Sequence, residues 1–283
     1  MFSPAALKDV CDNIPKNTKY HTPTSVEKLL SDPKTDIDLA MMWAGNTGSV
    51  IAVQELLSQG YKGHLPTASI SEKSPLLLWQ PSSLPAKEWK RVFACWDLLI
   101  ANGADINFNC VASSTSGVPL HIHAGHPPAI EYLLKKGANP LLKTSFGHTP
   151  LWGWLQSFQT FGNSSVRAKA SMKLLLDAGV DVHALIPSLY GQPEQTFMDY
   201  MYDFKSLRSL IPWAIEQGFD PNHTVQKNSA ATRITNAYNR GNPSKDISEA
   251  YAAVLYISSQ GQKQRIQDEI DETINSHSTA KRM

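Results

Sequence analysis

A short pair of helices closed by a glycine is the feature that most constrains the fold of this chain. Residues 118–140 read VPLHIHAGHPPAIEYLLKKGANP. Pro119 suits a first helical turn, and Gly125 with the prolines after it separates this helix from a second one. The second helix has the spacing of one buried face, on Ala129, Ile130, Leu133 and Leu134. Gly137 then ends it, because glycine takes a positive φ readily. Helices this short cannot bury their apolar faces alone, so the sequence predicts stacked copies.

Five such units can be placed along the chain, at about 37–62, 74–107, 118–140, 147–181 and 196–222. Each ends on a glycine, and these are Gly60, Gly103, Gly137, Gly179 and Gly218. The glycines are separated by 43, 34, 42 and 39 residues. Extra residues in a stacked array must leave through loops, since each helix pair is held by a neighbour on both sides. We therefore expect insertions, among them residues 80–88 and a loop around 160–165.

The pattern resembles the ankyrin repeat, whose units of about 33 residues open on Thr-Pro-Leu-His and close on Gly-Ala-Asp. The third unit matches at Pro119, Leu120, His121, Gly125, His126, Leu133, Leu134, Gly137, Ala138 and Asn139. The resemblance implies an all-α fold, an ankyrin-repeat solenoid of about five irregular helix-turn-helix repeats with helical caps. The domains expected are an N-terminal helical cap at 1–36, repeats with insertions at 37–223, a C-terminal helical cap at 224–261 and a polar tail at 262–283. The tail is helix-capable but can bury little, so helix and a frayed or disordered state are both open.

Charge and cysteine content restrict the function classes. Lys and Arg number 26 against 25 Asp and Glu, so the formal net charge is +1. That balance argues against nucleic acid as the main partner, because phosphate binding needs a basic face. Cys11, Cys95 and Cys110 lie far apart, which predicts reduced thiols and a cytoplasmic protein. No apolar run approaches about 18 residues and the first residues lack a secretory layout, so we expect no membrane span.

The sequence predicts no catalytic residue, no metal and no cofactor, since it lacks the common nucleophile, phosphate-loop, zinc and dinucleotide motifs. His121, His123 and His126 lie close together, which raises the question of a metal site. Residues two apart do not share a helical face, however. The resemblance implies instead that His121 makes hydrogen bonds that join neighbouring repeats. Cys95 lies in the apolar face of a helix and is interpreted as a core residue.

The resemblance also implies where a partner would bind. In ankyrin repeats the first helix and the preceding hairpin finger line the concave face. Counting two residues on from the motif leucine, or from its stand-in, selects Trp43, Leu78, Ile122, Gly153 and Tyr200. With the other aromatic residues of these helices, the predicted partner-binding set is Trp43, Leu78, Ile122, Trp152, Tyr200 and Tyr202. Trp43 and Tyr200 are expected to be exposed, whereas Trp79 and Trp154 should fill buried space. The competing interpretation places all of these aromatic side chains in the core.

We therefore expect a monomeric scaffold that binds a protein partner. One alternative is an enzyme, or an enzyme-associated module, with a site formed by the C-terminal region and the inserted loops. Self-association through exposed aromatics is another. The acidic block at 268–272 and the basic end resemble the export signals of type IV secreted ankyrin effectors such as those of Legionella. This second resemblance implies secretion into a host cell and a host protein as the partner.

Overall fold

A computed structural model of the chain describes residues 2–14, 23–32, 37–61, 89–109, 118–161, 165–187, 194–225 and 227–280. Within these ranges every regular element is a helix, apart from one antiparallel bridge between Ile186 and Gln195. The predicted all-α class is therefore confirmed for the part of the chain described. In the same residues, no helix combines the length and the apolar character that crossing a bilayer would need. The chain divides into two compact units, 1–181 and 182–283.

The first unit contains nine helices among its described residues: α1 Pro4–Asp12, α2 Pro23–Ser31, α3 Ile37–Asn46, α4 Val50–Ser58, α5 Trp89–Ala101, α6 Pro119–Ile122, α7 Pro127–Lys135, α8 Pro150–Phe161 and α9 Ser165–Asp177. Local sequence explains several of their starts. The side chains of Ser3 and Ser49 cap α1 and α4 by accepting from the backbone N–H three residues on. Proline occupies the first turn of α1, α6 and α7, where no backbone bond is lost.

In the first unit, the first helix of one pair packs on the first helix of the next, and second helices pack on second helices in the same way. The first helices α6 and α8 are in contact, and so are the second helices α7 and α9. The second helices α4 and α5 also pack together, and α1 packs against both α2 and α4. Side-by-side packing of this kind buries Leu120, Ile130 and Leu155 completely. The apolar faces read from the sequence are thus covered by neighbouring helix pairs.

All five predicted closing glycines have the same left-handed conformation, with φ between +90° and +97°. Each donates its N–H to the carbonyl three residues earlier, as Gly137 does to Leu134 at 3.1 Å. The residue after each glycine donates to the carbonyl five residues earlier, as Ala138 does to Leu133 at 2.9 Å. These two bonds define the Schellman motif, and its apolar contact is present because both Ala138 and Leu133 are buried. The predicted helix stops are confirmed at all five positions.

The second unit holds α10 Phe197–Asp203, a 3₁₀ helix Lys205–Leu210, α11 Ile211–Glu216, α12 Ala230–Asn239 and α13 Lys245–Ala280. Helix α10 packs against α12, and α11 packs against α13. Helix α12 begins 33 residues after α10, at Ala230 against Phe197. The caps correspond as well, because Thr196 and Ser229 each accept from the backbone N–H three residues on. The helices expected to form a terminal cap therefore repeat the preceding pair.

The tail, for which the sequence leaves helix and fraying both open, is helical. Helix α13 runs without a break from Lys245 to Ala280, across the boundary predicted at 261/262. Its polar side chains stabilise one another along the helix. Gln264 donates to Asp268 at 2.8 Å and Gln267 donates to Asp271 at 2.9 Å. Pairs four residues apart face each other on a helix, which favours helical structure without burial.

Candidate protein-binding surface

A closed loop at residues 139–148, here called the finger, connects α7 to α8. Thr144 holds it together. The Thr144 N–H donates to the His148 carbonyl at 2.9 Å, and its Oγ1 accepts from the backbone N–H groups of Phe146 and His148 at 3.3 and 3.2 Å. Gly147 has a φ of +79° and donates to the Thr144 carbonyl at 2.8 Å, which closes the turn. The tip of the finger is therefore fixed by its own backbone.

A histidine ties this finger to the preceding helix pair. The Nε2 atom of His121 lies 2.9 Å from the His148 carbonyl oxygen, so Nε2 carries the hydrogen and donates. Burial lowers the pKa of His121 to about 4, although the hydrogen bond to His148 opposes that shift. His121 is thus neutral at physiological pH. Its predicted role in joining neighbouring helix pairs is confirmed.

The finger also bonds to the loop that closes the helix pair before it. The Asn139 N–H donates to the Asn107 side-chain oxygen at 2.8 Å, and the Asn109 side chain donates to the Lys143 carbonyl at 3.2 Å. Asn107 in turn donates to the Gly137 carbonyl at 3.4 Å. Two consecutive closing loops are therefore linked side by side, and the surface they form is preorganised.

Aromatic and apolar side chains line this surface. The ring of His148 stacks on Trp152 with centroids 4.8 Å apart, and the ring of Phe146 lies 6.1 Å from His148. Phe146 is 52 % exposed and Leu141 is 64 % exposed. Trp152 is half-buried, and so is Ile122 on α6. Phe146 and Trp152, with the buried His148 ring in contact with both, and Leu141 in the same loop as Phe146, are here called the aromatic surface.

Histidines 121, 123 and 126 occupy three different environments. His121 bonds to the finger, whereas the His123 ring packs on Trp96 with centroids 5.0 Å apart. His126 contacts the guanidinium of Arg167, whose Nε donates to the Gly125 carbonyl at 3.0 Å. Burial lowers the pKa of His126 to about 3, and the Arg167 charge adds to the shift. Among the residues that the structure describes, no three His, Cys, Asp or Glu side chains are grouped to hold a metal ion.

The predicted exposure of Trp43 is wrong. Its side chain is only 5 % exposed, because α3 packs against both α4 and α5. Gly153 does not open onto a groove either, since a Cβ there would lie 1.9 Å from the His121 carbonyl oxygen. Gly153 is instead a point of close approach of α8 to α6. Leu78 and Trp79 lie outside the described residues.

The predicted burial of Trp154 and of Cys95 is confirmed. Trp154 is buried, and its indole Nε1 donates to the Ala168 carbonyl at 2.9 Å, which joins α8 to α9. Cys95 is fully buried within α5, and burial raises the pKa of its thiol to about 12. Cys11 is half-buried on α1, and Cys110 lies outside the described residues.

In the second unit, the half-buried side chains of Tyr200 and Tyr202 have different neighbours. Tyr200 is half-buried and stacks on Phe204, with ring centroids 4.4 Å apart and Phe204 at the surface. The Tyr202 ring is contacted instead by the guanidinium groups of Arg208 and Arg233, at 5.0 and 4.4 Å from its centroid. Its hydroxyl donates to the Arg233 carbonyl at 3.3 Å. Tyr202 therefore joins α10 to α12, and Tyr200 with Phe204 is the more accessible aromatic pair.

Sequence reasoning missed Leu141 and Phe146, because residues were counted from the leucine of each first helix and the fingers were left out. A signal was present, since both side chains are large and apolar in a loop between a helix-ending glycine and the next Thr-Pro-Leu. It also missed Asp199, which is fully buried and accepts from the hydroxyls of Thr196 and Thr224, each at 2.8 Å.

The chain matches no family model, and no curated protein matches it either.

Proposed function

We propose that this chain is a protein-binding repeat protein, built of ankyrin-like helix pairs, that binds a partner protein on its finger and the first helices beside it. Three features support the repeat interpretation. The closing glycines have one conformation and one hydrogen-bond pattern. First helices pack on first helices, and second helices on second helices. The 33-residue offset of α12 from α10 equals the usual ankyrin period of about 33 residues.

The observation that carries the proposal is the aromatic surface. Phe146 and Leu141 are mostly exposed on a loop whose backbone is fixed by Thr144 and His121. Rigid aromatic side chains are typical interface anchors, because they bring a large contact area and lose little conformational entropy. A loop held in its bound shape before binding also loses little entropy. Binding loops carried on a rigid scaffold commonly have this combination.

Tyr200 and Phe204 supply a second aromatic contact in the other unit, on the first helix of its helix pair and at that helix's end. Ile122 is half-buried on α6 and would extend the first surface. Delivery into a host cell stays a prediction from the tail sequence.

The test is an affinity purification with the full chain as bait, followed by quantitative mass spectrometry of the captured proteins. The variants are Phe146→Ala and Trp152→Ala. We expect each to lose most of any specifically captured protein, because truncation of an aromatic anchor typically weakens binding by about 2 kcal/mol or more, roughly 30-fold.

Val166→Ala is the matched control. Val166 is 76 % exposed on α9, a second helix, so its truncation removes an exposed apolar side chain away from the aromatic surface. It should leave capture unchanged. Equal recovery of every captured protein with wild type and both aromatic variants would contradict the proposal.

A further inference from the structure

Acidic side chains are missing from the part of the sequence that surrounds the finger. Between Glu131 and Asp177 there is no Asp or Glu, whereas six basic residues occur there: Lys135, Lys136, Lys143, Arg167, Lys169 and Lys173. The chain as a whole is nearly neutral, at +1. Charge is therefore unevenly distributed along the chain, and the segments before and after the finger have an excess of basic residues.

Several of these cations are already engaged. Lys136 pairs with Asp97 at 2.6 Å, and Lys173 pairs with Asp177 at 2.9 Å. Arg167 contacts His126 and the Gly125 carbonyl.

Lys135 and Lys143 differ from them. Both are exposed, and no ion pair between residues that the structure describes involves either one.

Lys143 is the lysine nearest in sequence to the exposed apolar residues of the finger. It lies between Leu141 and Phe146 in the finger, and its backbone carbonyl is held by the Asn109 side chain at 3.2 Å. The base of this side chain is therefore fixed beside two exposed apolar groups. Lys135 lies at the end of α7, just before Gly137. The one acidic residue of the two linked loops is Asp105, whose Oδ1 accepts from the Asn107 N–H at 2.8 Å.

We propose, on the basis of the function above, that the segment bound by the finger is an acidic stretch of a protein that also carries large apolar side chains. Leu141, Phe146 and Trp152 contact the apolar side chains, and Lys143 and Lys135 pair with carboxylates beside them. Opposite charges at the rim of an interface speed association and select the partner.

The arrangement favours a peptide over a nucleic acid. Nucleic acid binding depends on several cations along one face, whereas the finger itself has one lysine, Lys143, between an aliphatic leucine and a phenylalanine.

The experiment selects binders from a displayed library of random dodecapeptides with the full chain as bait. The selected peptides are then synthesised with a fluorescent label, and their binding is measured by anisotropy at low and at physiological salt. We expect the selected pool to be enriched in Asp and Glu around one or two aromatic or aliphatic residues, with affinity that falls as salt rises.

Two variants test the lysines. The double variant Lys135→Glu, Lys143→Glu should weaken binding about tenfold, because it replaces two attractive pairs at the surface by two repulsive ones. A peptide in which Glu residues are exchanged for Lys should bind this double variant better than it binds wild type. Lys205→Glu makes the charge change of one of these substitutions on an exposed lysine of the other unit and should have no effect.

Other outcomes overturn the inference. A neutral or basic pool whose binding is lost in Phe146→Ala would remove the acidic partner but leave the protein-binding function standing. A pool of acidic peptides that binds the double lysine variant as well as wild type would place the site elsewhere. Failure to select any binder would contradict the inference. A labelled single-stranded oligonucleotide that binds through the two lysines more tightly than any peptide would contradict it as well. Circular dichroism of each variant verifies that the helices are intact.

Discussion

His121 and Asp199 stand at the same position after the motif leucine or its stand-in, and each bonds to the segment that follows its helix pair. His121 donates to the His148 carbonyl 27 residues further on. Asp199 accepts from the Thr224 hydroxyl 25 residues further on. A neutral ring and a carboxylate thus form the same connection, with the direction of donation reversed. Both polar side chains are buried and hydrogen-bonded, as expected because an unpaired polar group there would be costly.

The buried histidines make stability depend on pH. Burial lowers the pKa of His121 to about 4 and of His126 to about 3, below the ordinary value of 6.5. As the pH falls through 6.5, the unfolded chain takes up protons that the folded chain does not. The free energy of unfolding should therefore decrease from pH 6.5 down to about pH 4 for His121 and about pH 3 for His126. Between pH 7 and 5 each histidine contributes a loss of about 2 kcal/mol.

Urea unfolding at the two pH values measures this loss. His126→Asn should reduce it, because one of the two histidines is removed. His183→Asn changes an exposed histidine of the other unit and should keep the full loss. A free energy of unfolding that is equal at pH 7 and pH 5 in wild type would contradict the interpretation.

At the scale of elements, the contact between α6 and α8 depends on Gly153. A Cβ at this position would lie 1.9 Å from the His121 carbonyl oxygen and 2.7 Å from its carbonyl carbon. Backbone approach this close is possible only for a residue without a side chain. The same contact positions His121, which bonds to the finger. Helix packing and the candidate binding surface are therefore coupled at one glycine.

Gly153→Ala should destabilise the protein by about 1–3 kcal/mol, because α6 and α8 must move apart to accept the methyl group. Gly261→Ala is the matched control, since Gly261 is also helical and a Cβ at that position would meet no atom within 4 Å. Alanine there should cause no loss, because it favours helix over glycine by about 1 kcal/mol. Urea unfolding of both variants gives the comparison. Equal stability of Gly153→Ala and wild type would show that the contact is not close.

At the scale of the whole molecule, the second unit depends on the helix pair α12–α13 for its core. Helix α13 packs against the 3₁₀ helix and α11, where Leu210 and Ile211 are buried. The later part of α13 is different, because its described side chains from Ser258 onward are exposed. One helix therefore contains a packed part and a solvated part.

Two truncations separate these parts. A chain that ends at Gln260 should keep the melting temperature of the full chain, because it loses exposed side chains that contribute little to stability. A chain that ends at Asn222 should melt lower and become protease-sensitive in its second unit, because it uncovers Leu210 and Ile211. Thermal unfolding and limited proteolysis distinguish the two. Equal melting temperatures for both truncated chains would contradict the packing.

Features that depend on a few neighbouring residues could be predicted from the sequence. A glycine after a leucine-rich helix was enough to place each helix end, since the left-handed conformation is a local property of the backbone. The burial of Cys95 was also predictable from its helical face, and that of Trp154 from its position three residues after Leu151. The 33-residue spacing between α10 and α12 was also present in the sequence, because Ser229 repeats the helix-capping position of Thr196.

Which aromatic side chains reach the surface depends instead on how the helices pack. Trp43 and Tyr200 have corresponding positions in their first helices, yet Trp43 is buried on α3, which packs against α4 and α5, whereas Tyr200 is half-buried beside an exposed Phe204. The placement of the finger was equally hidden, because it depends on hydrogen bonds with His121 and Asn107, which lie far away in sequence. Exposure and loop shape result from what neighbouring elements cover and bond, and a repeat pattern does not specify that.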